Sequence, residues 1–366
     1  MSQEGMEKLF KESGTSVLVP SVQELSKESV SNVPQRYFQP QHQQQRLLIS
    51  QQSHATLQIP VIDMHNLLSQ ESGSSELAKL HLACKEWGFF QIINHGVSSS
   101  LVEKIKLEIK EFFNLPMSEK KKFWQTSENM EGFGQLFVVS EDQKLDWNDM
   151  FYMNSLPRKS RMPHLFPQLP HPFRDNLELY SQKMKDVAMI IIGQMEKALE
   201  VKEREMIELF EDGIQRMRMN YYPPFPQPEK VIGFSNHSDG DALTILLQLN
   251  EIEGLQIRKD GMWVPVKPLP NAFVVNVGDI MEIITNGTYR SVEHRATVNS
   301  EKERLSFATF YSPREDAVLG PSPCLITHQT PPQFKSTSAN QYFKDFFARK
   351  LEGKSNRDNM KIEHPN

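Results

Sequence analysis

Three residues of this 366-residue chain combine the side-chain types that hold a redox metal. His237 and Asp239 lie two apart in Asn236-His237-Ser238-Asp239, and His294 follows 55 residues after Asp239. On an extended strand, residues i and i+2 share a face, so one imidazole and one carboxylate point the same way while Ser238 points elsewhere. Two histidines and one carboxylate on one face of a metal form the facial triad of non-haem iron(II) sites. Such a site leaves three coordination positions open: a chelating co-substrate can take two, and O2 the third. A structural zinc site would instead be closed by four ligands, often thiolates, and no cysteine lies near these residues in the sequence. His-x-Asp alone is a weak signal. The element that strengthens it is Arg304-Leu305-Ser306, which starts ten residues beyond His294.

Arg304, Ser306, Ala308 and Phe310 share one face of a strand expected over residues 304–311. A guanidinium grips a carboxylate through two parallel bonds, and a hydroxyl can add a third. That pair suits an anionic tail such as the distal carboxylate of 2-oxoglutarate. Arg218, Asn220 and Tyr222 form a similar row just before Pro223-Pro224. Tyr222 is suited to bond the same carboxylate, and Asn220 to support the metal end. Singly, such residues are ordinary on exposed strand faces. Together, His-x-Asp, a distant histidine and Arg-x-Ser make a specific combination.

The elements that must position these residues fall into two halves. The first half reads as helical. A helix carries Leu77, Leu80, Cys84 and Trp87 on one stripe and stops at Gly88. Phe89–Ile93 reads as a buried strand after a short apolar segment at 59–63. A second helix carries Leu101, Ile105, Ile109 and Phe112 and stops before Pro116. A long helix starts near Pro172, with a stripe through Leu177, Tyr180, Met184, Val187, Ile191 and Met195 that reads as core. A shorter helix is expected around 203–210.

After residue 213 the period changes. Strand-like runs are expected at 217–222, 243–249, 255–258, 263–266, 272–277, 289–294 and 304–311, with Asp260-Gly261 as a hairpin turn. Many short strands with turn signals indicate a sandwich or barrel, and the absence of helix–strand alternation argues against a parallel doubly wound sheet. Residues 342–351 read as a helix docking back on the body. Residues 1–56, with Gln41-His42-Gln43-Gln44-Gln45, are expected to be a partly mobile segment, although Val17-Leu18-Val19-Pro20 is apolar enough to pack.

Bulk composition excludes several classes. A net charge of -5 leaves no basic footprint for DNA or RNA. Two cysteines, Cys84 and Cys324, cannot build a disulfide framework. The first residues, MSQEGMEKLFKESG, lack the apolar run of a secretory signal, and the apolar run 187–192 is far too short to span a bilayer. A cytoplasmic monomer is the expectation, with a small-molecule substrate and neither nucleic acid nor membrane as partner.

The metal and clamp motifs occur with Lys85-Glu86-Trp87-Gly88-Phe89-Phe90, Ile93-Asn94-His95-Gly96, Asn220-Tyr221-Tyr222-Pro223-Pro224 and Asn276-Val277-Gly278-Asp279. From about Ile59 to Leu351 the chain thus resembles the plant 2-oxoglutarate/Fe(II) dioxygenase superfamily. Glu131-Gly132-Phe133-Gly134-Gln135 and Ser140–Trp147 place it near the senescence-related and codeine O-demethylase-like branch. The resemblance implies a mixed α/β fold: a double-stranded β-helix, or jelly roll, flanked by helices, with a helical N-terminal region. It implies a mostly helical dioxygenase region at 57–210, a catalytic domain at 211–315 and a C-terminal segment at 316–366 with a docking helix. His237, Asp239 and His294 would hold Fe(II). Arg304 and Ser306, helped by Tyr222 and Asn220, would hold 2-oxoglutarate, with ascorbate as reductant. His95 belongs to a family motif but reads as structural.

The implied reaction couples oxidative decarboxylation of 2-oxoglutarate to oxidation of a C–H bond. It gives an alcohol, or a hemiacetal that loses formaldehyde when the carbon is an O-methyl group. Phe133, Met150, Tyr152, Arg218, Phe225, Asp241, Phe310 and Ser312 are candidate pocket residues, and their aromatic share suits a planar or polycyclic molecule. Phe225 stands where relatives usually have cysteine. Asp241 stands where they usually have a small or uncharged residue, and reads either as a contact to a cationic or hydroxyl group of the substrate or as a solvated turn residue. Desaturation or ring closure at an identical iron site, and a catalytically silent binding protein on this scaffold, are the alternatives.

Overall fold

The computed structural model describes residues 17–28, 33–39, 57–126, 129–138, 140–202, 204–348, 353 and 355–362. Two sheets form its centre. The major sheet has eight strands: β1 (Val61–Asp63), β2 (Phe89–Ile93), β3 (Gly132–Gly134), β4 (Asp149–Leu156), β5 (Ile214–Tyr222), β7 (Leu243–Gln248), β10 (Phe273–Val277) and β12 (Arg304–Ser312). They run in the order β1-β2-β10-β7-β12-β5-β4-β3, antiparallel except for β1 with β2. The minor sheet holds β6 (Phe234–His237), β8 (Leu255–Lys259), β9 (Met262–Pro265) and β11 (His294–Ala296), in the order β6-β11-β8-β9. From β5 onward the chain passes back and forth between the sheets, only the β8–β9 hairpin staying in one, in the manner of a double-stranded β-helix, so distant stretches of sequence meet. The hairpin between β8 and β9 turns at Asp260 and Gly261, both at positive φ (50° and 80°), as a two-residue loop of this hand requires.

Alternation along β12 decides the architecture. Ser306, Ala308 and Phe310 turn toward the cavity between the sheets, while Leu305, Phe307 and Tyr311 join the outer core. That outer face is covered by α1 (Gly73–Leu82), α2 (Ser99–Asn114) and α3 (Phe173–Ala198). Tyr180 of α3 stacks on Phe307 at 5.1 Å, and Phe112 of α2 stacks on Phe151 of β4 at 4.8 Å. Helices on one face leave the other face free to line a site. A further helix, α4 (Ala339–Phe347), closes the opposite side; Ser338 caps it by accepting from the Gln341 amide. The expectation of a helix over 342–351 continues past the described residues at 349–352.

Several expectations shift. The region 57–210, read as mostly helical, also carries β3 and β4, which extend the major sheet, so it shares one sheet with 211–315. The sequence hides β4 because Asp149, Asn154 and Ser155 break up its apolar run, although nearly all of Asp149–Leu156 is buried. The strand expected over 289–294 begins only at His294. Upstream, Asp279–Ile284 forms a short buried helix, and Tyr289 is drawn into the core, its hydroxyl 3.1 Å from His81 Nδ1. Within the segment expected to be partly mobile, residues 17–28 and 33–39 pack on the body. Val19, Val22 and Tyr37 cluster with Trp147 and Phe225. The Asp149 carboxylate accepts from Ser21 Oγ (2.5 Å) and from the amides of Val22 (2.8 Å) and Gln23 (3.0 Å). The glutamine-rich stretch 41–45 lies outside the described residues.

Candidate active site

His237 is the last residue of β6 and His294 the first of β11, and the two strands pair with these residues in register. The imidazoles are therefore neighbours, with ring centroids 4.2 Å apart. Asp239 follows just beyond the end of β6 rather than on it, and its Oδ1 lies 3.4 Å from His237 Nε2 and 3.6 Å from His294 Nε2. One ligand atom from each residue falls within 4.8 Å of the others, and all three residues are buried. Ser238 turns away and donates to Asp279 Oδ2 at 3.1 Å.

The surroundings fix how each side chain is presented. His237 Nδ1 lies 2.8 Å from the Ser235 carbonyl and His294 Nδ1 lies 3.2 Å from the Val292 carbonyl. A carbonyl only accepts, so Nδ1 carries the proton in both rings and Nε2 keeps its lone pair. Asp239 Oδ2 accepts from Thr244 Oγ1 (2.6 Å) and Asn276 Nδ2 (2.8 Å), which leaves Oδ1 facing the imidazoles. Burial, and then the neighbouring His237, lower the His294 pKa to about 4. Burial alone would raise the Asp239 carboxyl, but His294 and His237 outweigh it and hold the group well below the usual carboxylate range. His237 Nε2 is buried without a hydrogen-bond partner. Two imidazoles whose Nε2 atoms face one carboxylate oxygen, one of them buried without a partner, fit a divalent metal.

The second component lies along the major sheet. Arg304 starts β12 opposite Tyr222 on β5, and its guanidinium sits 5.1 Å from the centre of the Tyr222 ring. Arg304 is 2% exposed. Its Nη2 donates to Gln248 Oε1 at 3.3 Å, while its Nε has no partner. Among the described residues no carboxylate lies within ion-pairing distance of it. Gly254 makes room: a Cβ there would lie 2.7 Å from Arg304 Cδ. Ser306 pairs with Asn220, whose Nδ2 is 3.3 Å from Ser306 Oγ. A single cavity runs from Arg304 and Tyr222 past Ser306 and Asn220 to the three metal-type residues, walled by Phe89, Leu246 and Leu255. A buried guanidinium without a protein counter-ion is costly and fits an anionic ligand held within reach of the metal.

The remaining candidates separate by strand face. Arg218 and Phe310 line the cavity, and Arg218 lies 4.5 Å from the centre of the Phe234 ring and 5.0 Å from that of Phe310. Met150 and Tyr152 pair with Asn220 and Arg218, so they share the inward face; burial raises the Tyr152 phenol. Phe133 pairs with Phe151 and turns outward among Phe112, Phe113 and Trp124, so it is helix-facing core and not pocket. Phe225 packs against Trp147, 4.8 Å between ring centroids, in the separate cluster under the N-terminal segment. Asp241 is not a solvated turn residue: it ion-pairs with Arg216 at 3.0 Å and bonds Ser312. His95 lies 3.0 Å from the Asn271 carbonyl and packs on Phe273, outside the triad. Thr244 and Gln248 were not singled out from sequence, and Asn276 entered only as part of a family-like stretch, without a role at the site. Asn276 carries a signal, being the lone polar residue in the apolar run Phe273–Val277.

Two facing sheets with an open two-histidine, one-carboxylate cluster and a buried arginine that meets no carboxylate among the described residues define a jelly-roll non-haem iron oxygenase. The chain belongs to the 2OG-Fe(II) oxygenase superfamily, which residues 213–313 match; residues 59–169 match the non-haem dioxygenase in morphine synthesis N-terminal family. It is 54% identical to Protein SRG1 of Arabidopsis thaliana over 95% of this chain and 98% of that protein. It is 53% identical to codeine O-demethylase of Papaver somniferum, again over 95% of this chain and 98% of the relative. Oxoglutarate-dependent flavonoid 7-O-demethylase 1 of Ocimum basilicum is 54% identical over 96% of this chain and 93% of its own length. The crystal structure of JOX2 with 2OG, Fe and JA superposes with a TM-score of 0.85 at 33% identity, over 96% of this chain and 100% of that one. The protein is thus a 2-oxoglutarate-dependent dioxygenase using Fe(II). Among the described residues no helix is long and apolar enough to cross a membrane.

Proposed function

We propose that this dioxygenase hydroxylates or O-demethylates a small aromatic or polycyclic specialised metabolite, and that the cavity between the sheets is its reaction chamber. The observation that carries the assignment of residues is Arg304, a buried cation with no counter-ion among the described residues, in one cavity with His237, Asp239 and His294. His237 Nε2, His294 Nε2 and Asp239 Oδ1 would hold the ferrous ion. Arg304, Ser306 and Tyr222 would hold the distal carboxylate of 2-oxoglutarate, and Asn220 would steady the end nearer the metal. Bound there, iron and 2-oxoglutarate supply, with O2, the oxidising equivalents for C–H oxidation, with release of CO2 and succinate.

The protein's own part is positioning and exclusion of water. The carbonyls of Ser235 and Val292 keep both imidazoles in the tautomer with Nε2 free. Thr244 and Asn276 occupy the second oxygen of Asp239 and so fix the carboxylate's rotation. Phe89, Leu246, Leu255 and Phe310 supply the apolar part of a wall that is otherwise polar. A substrate O-methyl group oxidised there would leave as formaldehyde. The named activities of the flavonoid and codeine demethylases support an aromatic or polycyclic substrate. Ascorbate as reductant and a monomeric cytoplasmic protein belong to the same reading.

The test is a screen for succinate release with Fe(II), ascorbate and a panel of methoxylated flavonoids, coumarins and alkaloids. A substrate that raises succinate and yields equimolar formaldehyde supports O-demethylation. Panel-wide failure to stimulate succinate would refute the proposed substrate class. Product mass separates the alternatives, since desaturation or ring closure removes two hydrogens without formaldehyde.

A further inference from the structure

The carboxylate clamp is itself held by a turn that does not line the chamber. β7 ends at Gln248, opposite Ser306 of β12, and the chain then turns through residues 249–254. Two side-chain amides of this stretch grip Arg304 and its neighbours. Asn250 Nδ2 donates to the Glu303 carbonyl at 2.7 Å, and Asn250 Oδ1 accepts from the Leu305 amide at 3.3 Å, so the backbone is pinned on both sides of Arg304. Gln248 Nε2 donates to the Ile252 carbonyl at 2.8 Å. A carbonyl only accepts, so that bond fixes the flip of the amide and turns Oε1 toward Arg304 Nη2, 3.3 Å away. Gln248 lines the surface groove beside α2, whereas Arg304 lines the chamber, so the amide reaches the guanidinium from behind. Glu251 and Glu253 border the same groove. The group that meets Arg304 is nevertheless the neutral one.

The charge of that acceptor decides what the clamp can bind. An amide oxygen and a carboxylate oxygen both satisfy an Nη–H, but only the carboxylate cancels the charge. A carboxylate at position 248 would form an ion pair that 2-oxoglutarate has to break, and would repel the incoming distal carboxylate. A neutral acceptor aims the guanidinium and leaves its charge for the ligand. We propose that Gln248 is a positioning residue of the co-substrate clamp. Its oriented amide sets the direction of Arg304 from outside the chamber while leaving the cation uncompensated. The site thereby selects a 2-oxo acid with an anionic tail over one with a neutral tail. This role rests on the oxygenase reading above.

The test uses full-length wild type, Gln248→Glu, Gln248→Met, Arg304→Met and the double variant combining Gln248→Glu with Arg304→Met, each loaded with Fe(II) without oxygen. Each is titrated with 2-oxoglutarate and with its 5-methyl ester, which has the same chelating end and a neutral tail. Binding is read from the visible absorbance of the iron chelate. Wild type is expected to favour 2-oxoglutarate. Gln248→Glu keeps the length and an acceptor but adds the charge, and should move the diacid-to-ester affinity ratio toward the ester by ~tenfold or more. Gln248→Met removes the acceptor without adding charge and should move the ratio less. In the Arg304→Met background Gln248→Glu should have a much smaller effect, because the charge acts through Arg304. An unchanged ratio in Gln248→Glu, equal shifts in the two Gln248 variants, or a Gln248→Glu effect of the same size with and without Arg304 would overturn the proposal. Arg304→Met separates the two levels. If it loses the preference for 2-oxoglutarate while the Gln248 variants keep it, only the Gln248 role fails. If wild type shows no preference or forms no chelate, the reading of the site itself fails.

Discussion

Replacing Arg304 by methionine removes the guanidinium while keeping most of the stem that fills the space beside Gly254. Arg304 is 2% exposed, gives one long bond to Gln248 (3.3 Å) and leaves Nε unpartnered. Two effects of opposite sign follow. The bond to a bound carboxylate is charge-assisted, and losing such a partner costs roughly 2–3 kcal/mol, or about 30- to 150-fold in 2-oxoglutarate affinity. In the ligand-free protein the same change removes a buried cation that has Gln248 and Tyr222 beside it but, among the described residues, no carboxylate, so it should cost little stability or raise it. Calorimetric titration of 2-oxoglutarate into the anaerobic metal-loaded protein measures the first effect, and denaturant unfolding of the ligand-free protein the second. Unchanged co-substrate affinity would refute the clamp. A loss of ~3–5 kcal/mol in the ligand-free protein, the scale of a broken buried ion pair, would show that Arg304 has a protein partner after all.

Thr244→Val removes one of two donors to Asp239 Oδ2 and frees the carboxylate to rotate; iron affinity should fall ~10- to 100-fold, read by metal titration. Burial raises the Glu131 carboxyl from 4.5 to about 7, so the folded state holds a proton that the unfolded state releases between those values. Wild type should therefore lose up to ~3 kcal/mol relative to Glu131→Gln as pH rises from 4.5 to 8, the difference vanishing below 4.5, in parallel denaturant melts. Asp149→Ala removes the acceptor for Ser21 and for the amides of Val22 and Gln23. It should cost ~2–4 kcal/mol and expose residues 17–28 to limited proteolysis, with unchanged cleavage arguing that the segment is held by its apolar contacts alone.

How much was legible followed from what local pattern can encode. The helical stripes of α1, α2 and α3 announced themselves by period, and most strands after residue 213 by short runs between turn signals, even where both faces are buried as in β10 and β12. β4 did not, since Asp149, Asn154 and Ser155 break up its apolar run although all three are buried. His237 and Asp239 were recognisable from a two-residue spacing, although the strand invoked to align them ends at His237. Their approach to His294 depends on the register of β6 with β11, which no local pattern carries. The pocket residues were the least legible. Phe133 and Phe225 are as aromatic as Phe310, and only strand register and the N-terminal segment decide that the first two face core. Asp241 was conspicuous by its charge, but its partner Arg216 lies 25 positions away on a neighbouring element.

The most direct measurement is a crystal structure of the protein grown anaerobically with Fe(II) and 2-oxoglutarate, with the metal located by iron anomalous scattering. The account predicts iron bound by His237 Nε2, His294 Nε2 and Asp239 Oδ1 and by no fourth protein ligand, with the far carboxylate of 2-oxoglutarate on Arg304 and Ser306. Iron at another position, a fourth side chain closing its coordination, or a co-substrate turned away from Arg304 would contradict it.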